Sequence, residues 1–307
     1  MGIVVFGAVF VDIKGYPLAQ YIPSGRNVGR VIQVHGGVSR NVAEDIANTG
    51  LHPTYVSVVD DTGIGQDVLD RLEKHGVDTR YVVKTKDGLG TWLAIFDNQG
   101  DVVASISKRP DLSEIEKTLD VHGEEIIRNV DSIVVEIDME EALLHKIFRL
   151  AEEYGKSVFA VVTNMSLALE RKDLLSRVAC VVCNAQEAGI LFTEDYDQAT
   201  DEEFLEIVRR KVEEADIARM VITLGDRGAV YAEKGGESGF CPPQRVEVVD
   251  TTGAGDAFFA GVAIGLSYGK TLAESAELGT RMASSVISVR ESVIPHFKPG
   301  ELGIPHS

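Results

Sequence analysis

The stretch Asp250-Thr251-Thr252-Gly253-Ala254-Gly255-Asp256-Ala257-Phe258-Phe259-Ala260-Gly261 decides the reading of this 307-residue chain. Before it, the apolar residues 246–249 read as a strand that stops at Asp250. A glycine-spaced turn follows, and a small-residue helix then opens with Asp256 in its first turn. The first N–H groups of a helix have no partner inside it and point outward as anion ligands. Gly253 and Gly255 carry no Cβ to hold an anion away from those amides. Asp256 sets a carboxylate beside the hole, which suits a general base next to a transferring phosphoryl group. The competing structural reading is an ordinary strand–turn–helix junction with Asp in the dipole-favoured first turn.

Two further motifs lie upstream, Gly36-Gly37-Val38-Ser39-Arg40-Asn41-Val42-Ala43 and Asn184-Ala185-Gln186-Glu187. Taken in order, the three resemble the signatures of the ribokinase-like (PfkB) family of carbohydrate and nucleoside kinases, and they span most of the chain. The resemblance implies an α/β fold with a mainly parallel central sheet, helices on both faces and a small β-sheet lid. It also implies ATP-dependent phosphorylation of a hydroxymethyl group.

Composition narrows the partners. A net charge of −18 opposes a general nucleic-acid or membrane surface, since both are polyanionic. Local amides and a metal still suffice to hold ATP. No apolar run approaches the roughly 20 residues that cross a bilayer, and the N-terminus reads as a first strand, not a signal peptide. Cys180 and Cys183 have C-x-x-C spacing but sit in an apolar run, where strand neighbours three apart face opposite sides. With Cys241 they read as buried free thiols of a cytoplasmic enzyme. The seven histidines show no metal-ligand spacing.

Strand candidates at 3–6, 55–59, 132–136, 157–162, 180–183, 220–224 and 229–232 alternate with helical patterns at 42–49, 66–75, 141–154, 201–215 and 273–289. Such alternation implies a mainly parallel sheet covered on both faces. The chain reads as one domain, 1–307, with two insertions, 13–35 and 81–107, that in the resembled family build the lid. Asn98-Gln99-Gly100 signals a hairpin in the second insertion. Both faces of residues 91–96 are apolar, Trp92, Ala94 and Phe96 on one and Leu93 and Ile95 on the other, so the outer face is expected to meet a second protomer's lid as a homodimer.

Phosphoryl transfer needs positioning and charge neutralisation more than covalent chemistry. Asp256 is the expected base, ionised at a helix N-terminus, and the Gly253, Ala254 and Gly255 amides form the anion hole. Asp12 ends the first strand run, at the carboxyl edge where open α/β sheets bind ligands. The resemblance gives it the sugar hydroxyls, with Gly36, Gly37 and Asn41 completing the pocket. As a plain sequence feature, Asp12 is equally a turn residue before Gly15. Asn184 and Glu187 form either a capping box or, by resemblance, a site for ATP phosphates and magnesium waters, Glu187 acting through water. Thr223-Leu224-Gly225-Asp226-Arg227-Gly228 is either a hairpin turn or the family's nucleotide loop, which assigns Thr223, Gly225, Arg227 and Gly228 to ATP. The family further implies a monovalent cation, K⁺, near Asp250 and Thr252 with carbonyls from residues 288–292. Where relatives carry Asp or Asn with Pro after the mid-chain strand, this chain has Val162-Thr163-Asn164-Met165, so Asn164 is the candidate substitute.

Asp61-Thr62-Gly63-Ile64-Gly65-Gln66-Asp67 echoes the C-terminal signature, but an amphipathic surface helix follows it and the reading is structural. There is no G-x-x-x-x-G-K-[ST] and no protein-kinase set, and Phe258 stands where a dinucleotide fold needs its third glycine. For the acceptor, the first signature with Asp12, Lys14 and the loop Asn27–Gly29 is more similar to pseudouridine kinases than to ribokinases, fructokinases or adenosine kinases. Asp12 and Asn41 would then grip the ribose, and Arg40 would meet the base. The alternative for Arg40 is an i,i+4 ion pair with Glu44. A sugar kinase or a catalytically silent sensor are the other readings, the latter opposed by the intact Asp256.

Overall fold

Runs of β-branched residues with both faces buried build the large sheet, as expected when helices cover it on each side. The computed structural model describes residues 2–162, 165–196, 199–297 and 300–303. The strands are β1 Ile3–Phe6, β2 Phe10–Pro17, β3 Gly29–Gly36, β4 Thr54–Asp60, β5 Asp78–Thr85, β6 Gly90–Phe96, β7 Val102–Lys108, β8 Ser132–Glu136, β9 Ser157–Val161, β10 Val181–Asn184, β11 Arg219–Thr223, β12 Ala229–Glu233 and β13 Ser238–Cys241. The helices are α1 Val38–Asn48, α2 Gly63–Lys74, α3 Ser113–Arg128, α4 Glu141–Glu153, α5 Met165–Glu170, α6 Lys172–Leu175, α7 Ala185–Phe192, α8 Asp201–Glu214, α9 Ala254–Ser267 and α10 Leu272–Ile287.

Among the described residues nine strands form one sheet in the order β13-β12-β11-β10-β9-β8-β1-β4-β5, and four form a second, β3-β2-β6-β7. The first is parallel from β11 to β5, with β12 and β13 antiparallel at one end. Two apolar cores lie on its opposite faces. Cys180 packs in one and Cys183 in the other, as strand neighbours three apart must, and all three cysteines are free and buried. No helix of the described residues is long and apolar enough to cross a membrane.

Three expectations need correction, while the hairpin and the structural reading of residues 61–67 hold. Residues 246–249 form no strand. They run irregularly with Val246, Val248 and Val249 exposed, held where the Val249 N–H donates to the Ile287 carbonyl. Asp12 does not end the first strand: β1 stops at Phe6, and Asp12 lies in β2 of the second sheet, paired with Val34 and Trp92. That sheet begins at Phe10 and draws on β6 and β7, whereas residues 81–85 belong to β5 at the edge of the large sheet. The Asn98-Gln99-Gly100 hairpin joins β6 to β7 in antiparallel register. Thr62 caps α2 by accepting from the Ile64 N–H, so the echo motif is an ordinary helix start.

Candidate active site

Parallel strands expose their carboxyl ends along one edge, and the crevice outside that edge is where such sheets take ligands. Here Glu136 closes β8, and Asn184 and Thr223 close β10 and β11 side by side. The chain returns to the site twice more, as α1 and as α9. Gly37 precedes α1 at φ 97, and a Cβ there would stand 2.7 Å from the Ala8 carbonyl oxygen. Only glycine fits that turn. Gly36 matters for a different reason: its Cβ would lie 2.6 Å from an Asp12 carboxylate oxygen, so a side chain there would displace the Asp12 carboxylate from its place across β3.

Gly253 precedes α9 at φ 83, with its missing Cβ 2.0 Å from the Ser292 carbonyl oxygen. At Gly255 an added Cβ meets nothing within 4 Å, so the fold does not require glycine there and the bare backbone leaves room for a ligand. The Ala254 N–H bends back to the Thr251 carbonyl at 3.3 Å, while those of Gly255 and Asp256 have no backbone acceptor among the described residues. The amides left without a backbone acceptor therefore lie one residue later than the expected anion hole, at Gly255 and Asp256.

Asp256 receives a 2.6 Å hydrogen bond at Oδ2 from Asn41 Nδ2, which joins the two signature motifs across 215 residues of chain. Burial lifts its carboxyl to about 6, against the Asn41 hydrogen bond and the Arg40 charge, which pull it down. Burial thus outweighs the helix terminus that was expected to favour ionisation, and the group stands near the working range of a general base. Burial also raises Asp12, with Lys14 and Arg40 opposing. Lys14 Nζ sits 6.0 Å over the Trp92 ring centroid. Asp250 is lowered: burial pushes it up, but the Thr252 N–H bonding its Oδ1 at 2.8 Å and the Thr252 hydroxyl outweigh that.

A cavity of about 480 Å³ opens between the two sheets. Asp12, Lys14 and Trp92 line its lid side, Gly36, Gly37 and Asn41 its floor, and Thr252 and Ser292 the end nearest α9. Arg40 does not line it. It is buried to 1 % exposure, with Nη1 on Glu44 at 2.7 Å, Nη2 on the His35 carbonyl at 2.6 Å and Nε on the Gly36 carbonyl. The ion-pair alternative holds, and the expectation that Arg40 meets a base does not.

At the ends of β10 and β11, Asn184 and Glu187 make a full capping box: Asn184 Oδ1 accepts from the Glu187 N–H, and Glu187 Oε2 accepts from the Asn184 N–H at 2.8 Å. Burial raises Glu187 against that hydrogen bond. Residues 223–228 form a turn between β11 and β12, tight because Gly225 and Gly228 adopt φ 65 and 99. Arg227 turns aside to an exposed pair with Asp201 at 2.8 Å. Asn164 lies outside the described residues. Among the described residues no cluster of three or more His, Cys, Asp or Glu side chains could hold a metal.

Sequence reasoning missed Glu136, Asp138 and Arg109, which also line the cavity. Glu136 accepts from the Ser39 N–H at 3.0 Å and the Ala8 N–H at 3.2 Å, so it ties the start of α1 to the end of β1. Burial, and then the Asp138 charge, push it up to about 7. Acidic residues at the carboxyl end of a buried strand were the available signal.

Comparison with known proteins bears on the family and the fold. The chain is 33 % identical over 292 residues to a guanosine-inosine kinase of Exiguobacterium acetylicum, covering 94 % of this chain and 95 % of that one. It is 26 % identical to a pseudouridine kinase of Escherichia coli, covering 93 % and 90 %. In fold it matches the Arabidopsis thaliana ribokinase complexed with ribose and ATP, with a TM-score of 0.82, 96 % of both chains covered and 19 % identity. The model of the pfkB family of carbohydrate kinases matches residues 2–296, and the chain is a kinase of that family.

Proposed function

We propose that this kinase transfers the γ-phosphoryl group of ATP to the 5′-hydroxyl of a ribonucleoside. The observation that carries the reading is the Asn41–Asp256 contact at 2.6 Å, which joins the acceptor floor to the base beside the Gly255 and Asp256 amides. Asp256 accepts the proton of the acceptor hydroxyl as that oxygen attacks the γ-phosphorus. The bond from phosphorus to the ADP oxygen breaks, and the amides of the hole take up the charge on the transferring group. Asp12, Lys14, Gly36, Gly37 and Asn41 hold the ribose. Asn41 also orients the base. Arg40 acts only from inside, by fixing α1 to the Gly36 carbonyl.

Asn184, Thr223, Gly225 and Gly228 border the nucleotide, with Arg227 at its rim. Magnesium keeps most of its water and needs only one or two carboxylates besides phosphate oxygens, so Glu187 would hold it through water, where it would offset phosphate charge. K⁺ would be held beside Asp250 and Thr252, toward the Ser292 carbonyl that lies against Gly253. The outer face of the small sheet, with Val31 and Ile106 each 71 % exposed, pairs with a second copy. The enzyme works as a single domain in the cytoplasm.

Two similarities bear on the acceptor. Motif likeness favours pseudouridine, whereas the greater identity is to a guanosine-inosine kinase, so we rank guanosine and inosine first and pseudouridine next. Coupled ADP release across guanosine, inosine, pseudouridine, ribose and fructose tests this. A nucleoside should lead the free sugars by at least about tenfold in kcat/KM, since unpaired polar groups facing an absent base cost about 1–3 kcal/mol each. A tenfold lead for ribose or fructose refutes it, and no turnover of any acceptor favours the sensor.

A further inference from the structure

The acceptor cavity has a second chamber of about 170 Å³, which shares Phe10, Arg109, Glu136 and Asp138 with the larger one. None of the residues at the transfer end (Asn41, Thr252, Ser292) line it. Its walls are instead the apolar side chains Phe10, Pro110, Leu112 and Met139, which suit the faces of a flat ring, and its polar groups are three carboxylates and one guanidinium. Arg109 is already paired with Asp138, and Glu136 is pushed up to about 7, so the chamber holds no spare cation for a phosphorylated acceptor and suits a neutral ligand that donates hydrogen bonds.

The polar groups are not equally available. Both Glu136 oxygens already accept backbone N–H groups. Arg109 bonds Asp138 Oδ2 at 2.8 Å and the Asp138 carbonyl at 3.1 Å. Asp138 Oδ1 is buried with no partner, and it is the chamber wall's only such side-chain atom among the described residues. A buried acceptor left unpaired is costly, so an occupant of the chamber gains by donating to it. The carboxylate torsion is soft, which lets Oδ1 swing toward a ligand without a change of χ1. Arg109, 55 % exposed, retains N–H groups beyond the two it spends on Asp138. Acceptor and donor thus stand side by side, matching a ring N–H next to a carbonyl.

We propose that this chamber reads the base of the acceptor: Asp138 Oδ1 accepts the ring N–H of a lactam base, as in hypoxanthine or guanine, and Arg109 donates to the adjoining carbonyl. The proposal rests on the ribonucleoside reading above. Adenine offers a bare ring nitrogen where the lactam offers N–H, so it sets a lone pair against the carboxylate.

The test pairs a protein change with a ligand change. Initial rates are measured with inosine, 1-methylinosine, adenosine and ribose on the wild type, Asp138→Ala and Asp138→Asn, each checked for an unaltered melting profile. The wild type should prefer inosine over 1-methylinosine by at least about tenfold, and Asp138→Ala should bring that ratio to about one. Asp138→Asn can turn its amide N–H₂ to the base and should move the inosine-to-adenosine ratio at least about tenfold toward adenosine. The same inosine-to-1-methylinosine ratio in the wild type and Asp138→Ala overturns the proposal. If the alanine variant does not fold, an unshifted inosine-to-adenosine ratio in Asp138→Asn, or equal use of the two inosines by the wild type, does so. Ribose outrunning inosine in the wild type is a separate result, which sinks the ribonucleoside reading itself.

Discussion

The two glycines of the signature loop should respond to substitution in opposite ways. Gly253 holds φ 83, and its Cβ would sit 2.0 Å from the Ser292 carbonyl oxygen and 2.7 Å from its carbon. Both are backbone atoms and cannot swing aside. A left-handed conformation costs a non-glycine residue about 1–2 kcal/mol, and forced overpacking adds about 1–3 kcal/mol. Gly253→Ala should therefore lose about 2–5 kcal/mol, which lowers Tm by roughly 4–10 °C in a chain of this size. Gly255 has ordinary helical φ and nothing within 4 Å of its Cβ, so Gly255→Val should melt within a degree or two of the wild type. Its added carbons fill the space in front of the Gly255 and Asp256 amides, and loss of one such donor costs on the order of 10²-fold in kcat. Differential scanning fluorimetry and coupled ADP release on the two purified variants give both readouts. A Gly255→Val enzyme that turns over normally would show that no phosphoryl group passes those amides. A Gly253→Ala enzyme that melts like the wild type would show that the Ser292 segment yields.

The base must be ionised to accept a proton, so kcat should fall as pH drops through about 6, where Asp256 titrates, and level off above it. Asn41 donates to the ionised form, and Asn41→Ala should shift that pH–rate limb upward; an unmoved limb would detach Asn41 from the base. Asp12→Ala should raise the acceptor KM by an amount worth about 1–3 kcal/mol and leave the ATP KM unchanged, and the reverse pattern would put the acceptor on the wrong side. Glu44 is wholly buried among Arg40, Arg71 and His75. Burial alone would raise its pKa, but the Arg71 hydrogen bond and the cations around it leave it lowered. Its contribution is present above the unfolded carboxylate pKa and lost as pH falls through the folded one. Glu44→Gln should cost about 3–5 kcal/mol near neutral pH and less in acid, measured by urea unfolding at several pH values.

The parts of the fold that sequence made legible were those governed by local periodicity. The strand at residues 132–136 and the helices at 141–154 and 201–215 fall where the apolar spacing put them, within one residue at each end. Residues 246–249 misled because an alternating apolar run describes a strand only if a neighbour pairs with it, and here one contact to the end of α10 stands in for a ladder. Asp12 was misassigned for a related reason. Whether residues 10–17 continue β1 or start another sheet depends on pairing with β6, some 80 residues away.

At the site, Gly37 and Gly253 were legible because their positive φ and close backbone neighbours demand glycine, and Asp256 because it stands in the first turn of the helix that Gly253 opens. For Arg40 the spacing offered Glu44 at i,i+4 but could not exclude the cavity, and only in the fold is it seen that Glu44 is buried and shared by Arg40 and Arg71. Asp138 and Arg109 escaped notice because they meet only when the end of β7 returns over the end of β8. No spacing in the sequence encodes that approach.

The central claim, that Asp256 drives transfer from ATP to a nucleoside 5′-oxygen, is tested most directly by quantifying product. Wild type and Asp256→Asn are incubated with ATP and inosine or guanosine, and the nucleoside 5′-monophosphate is measured by mass spectrometry with the phosphorylated oxygen assigned by NMR. The account predicts 5′-monophosphate from the wild type and a rate lower by about 10²–10⁴-fold from Asp256→Asn at unchanged ATP affinity. Retention of more than about a tenth of the wild-type rate, or phosphate on another oxygen, would contradict it.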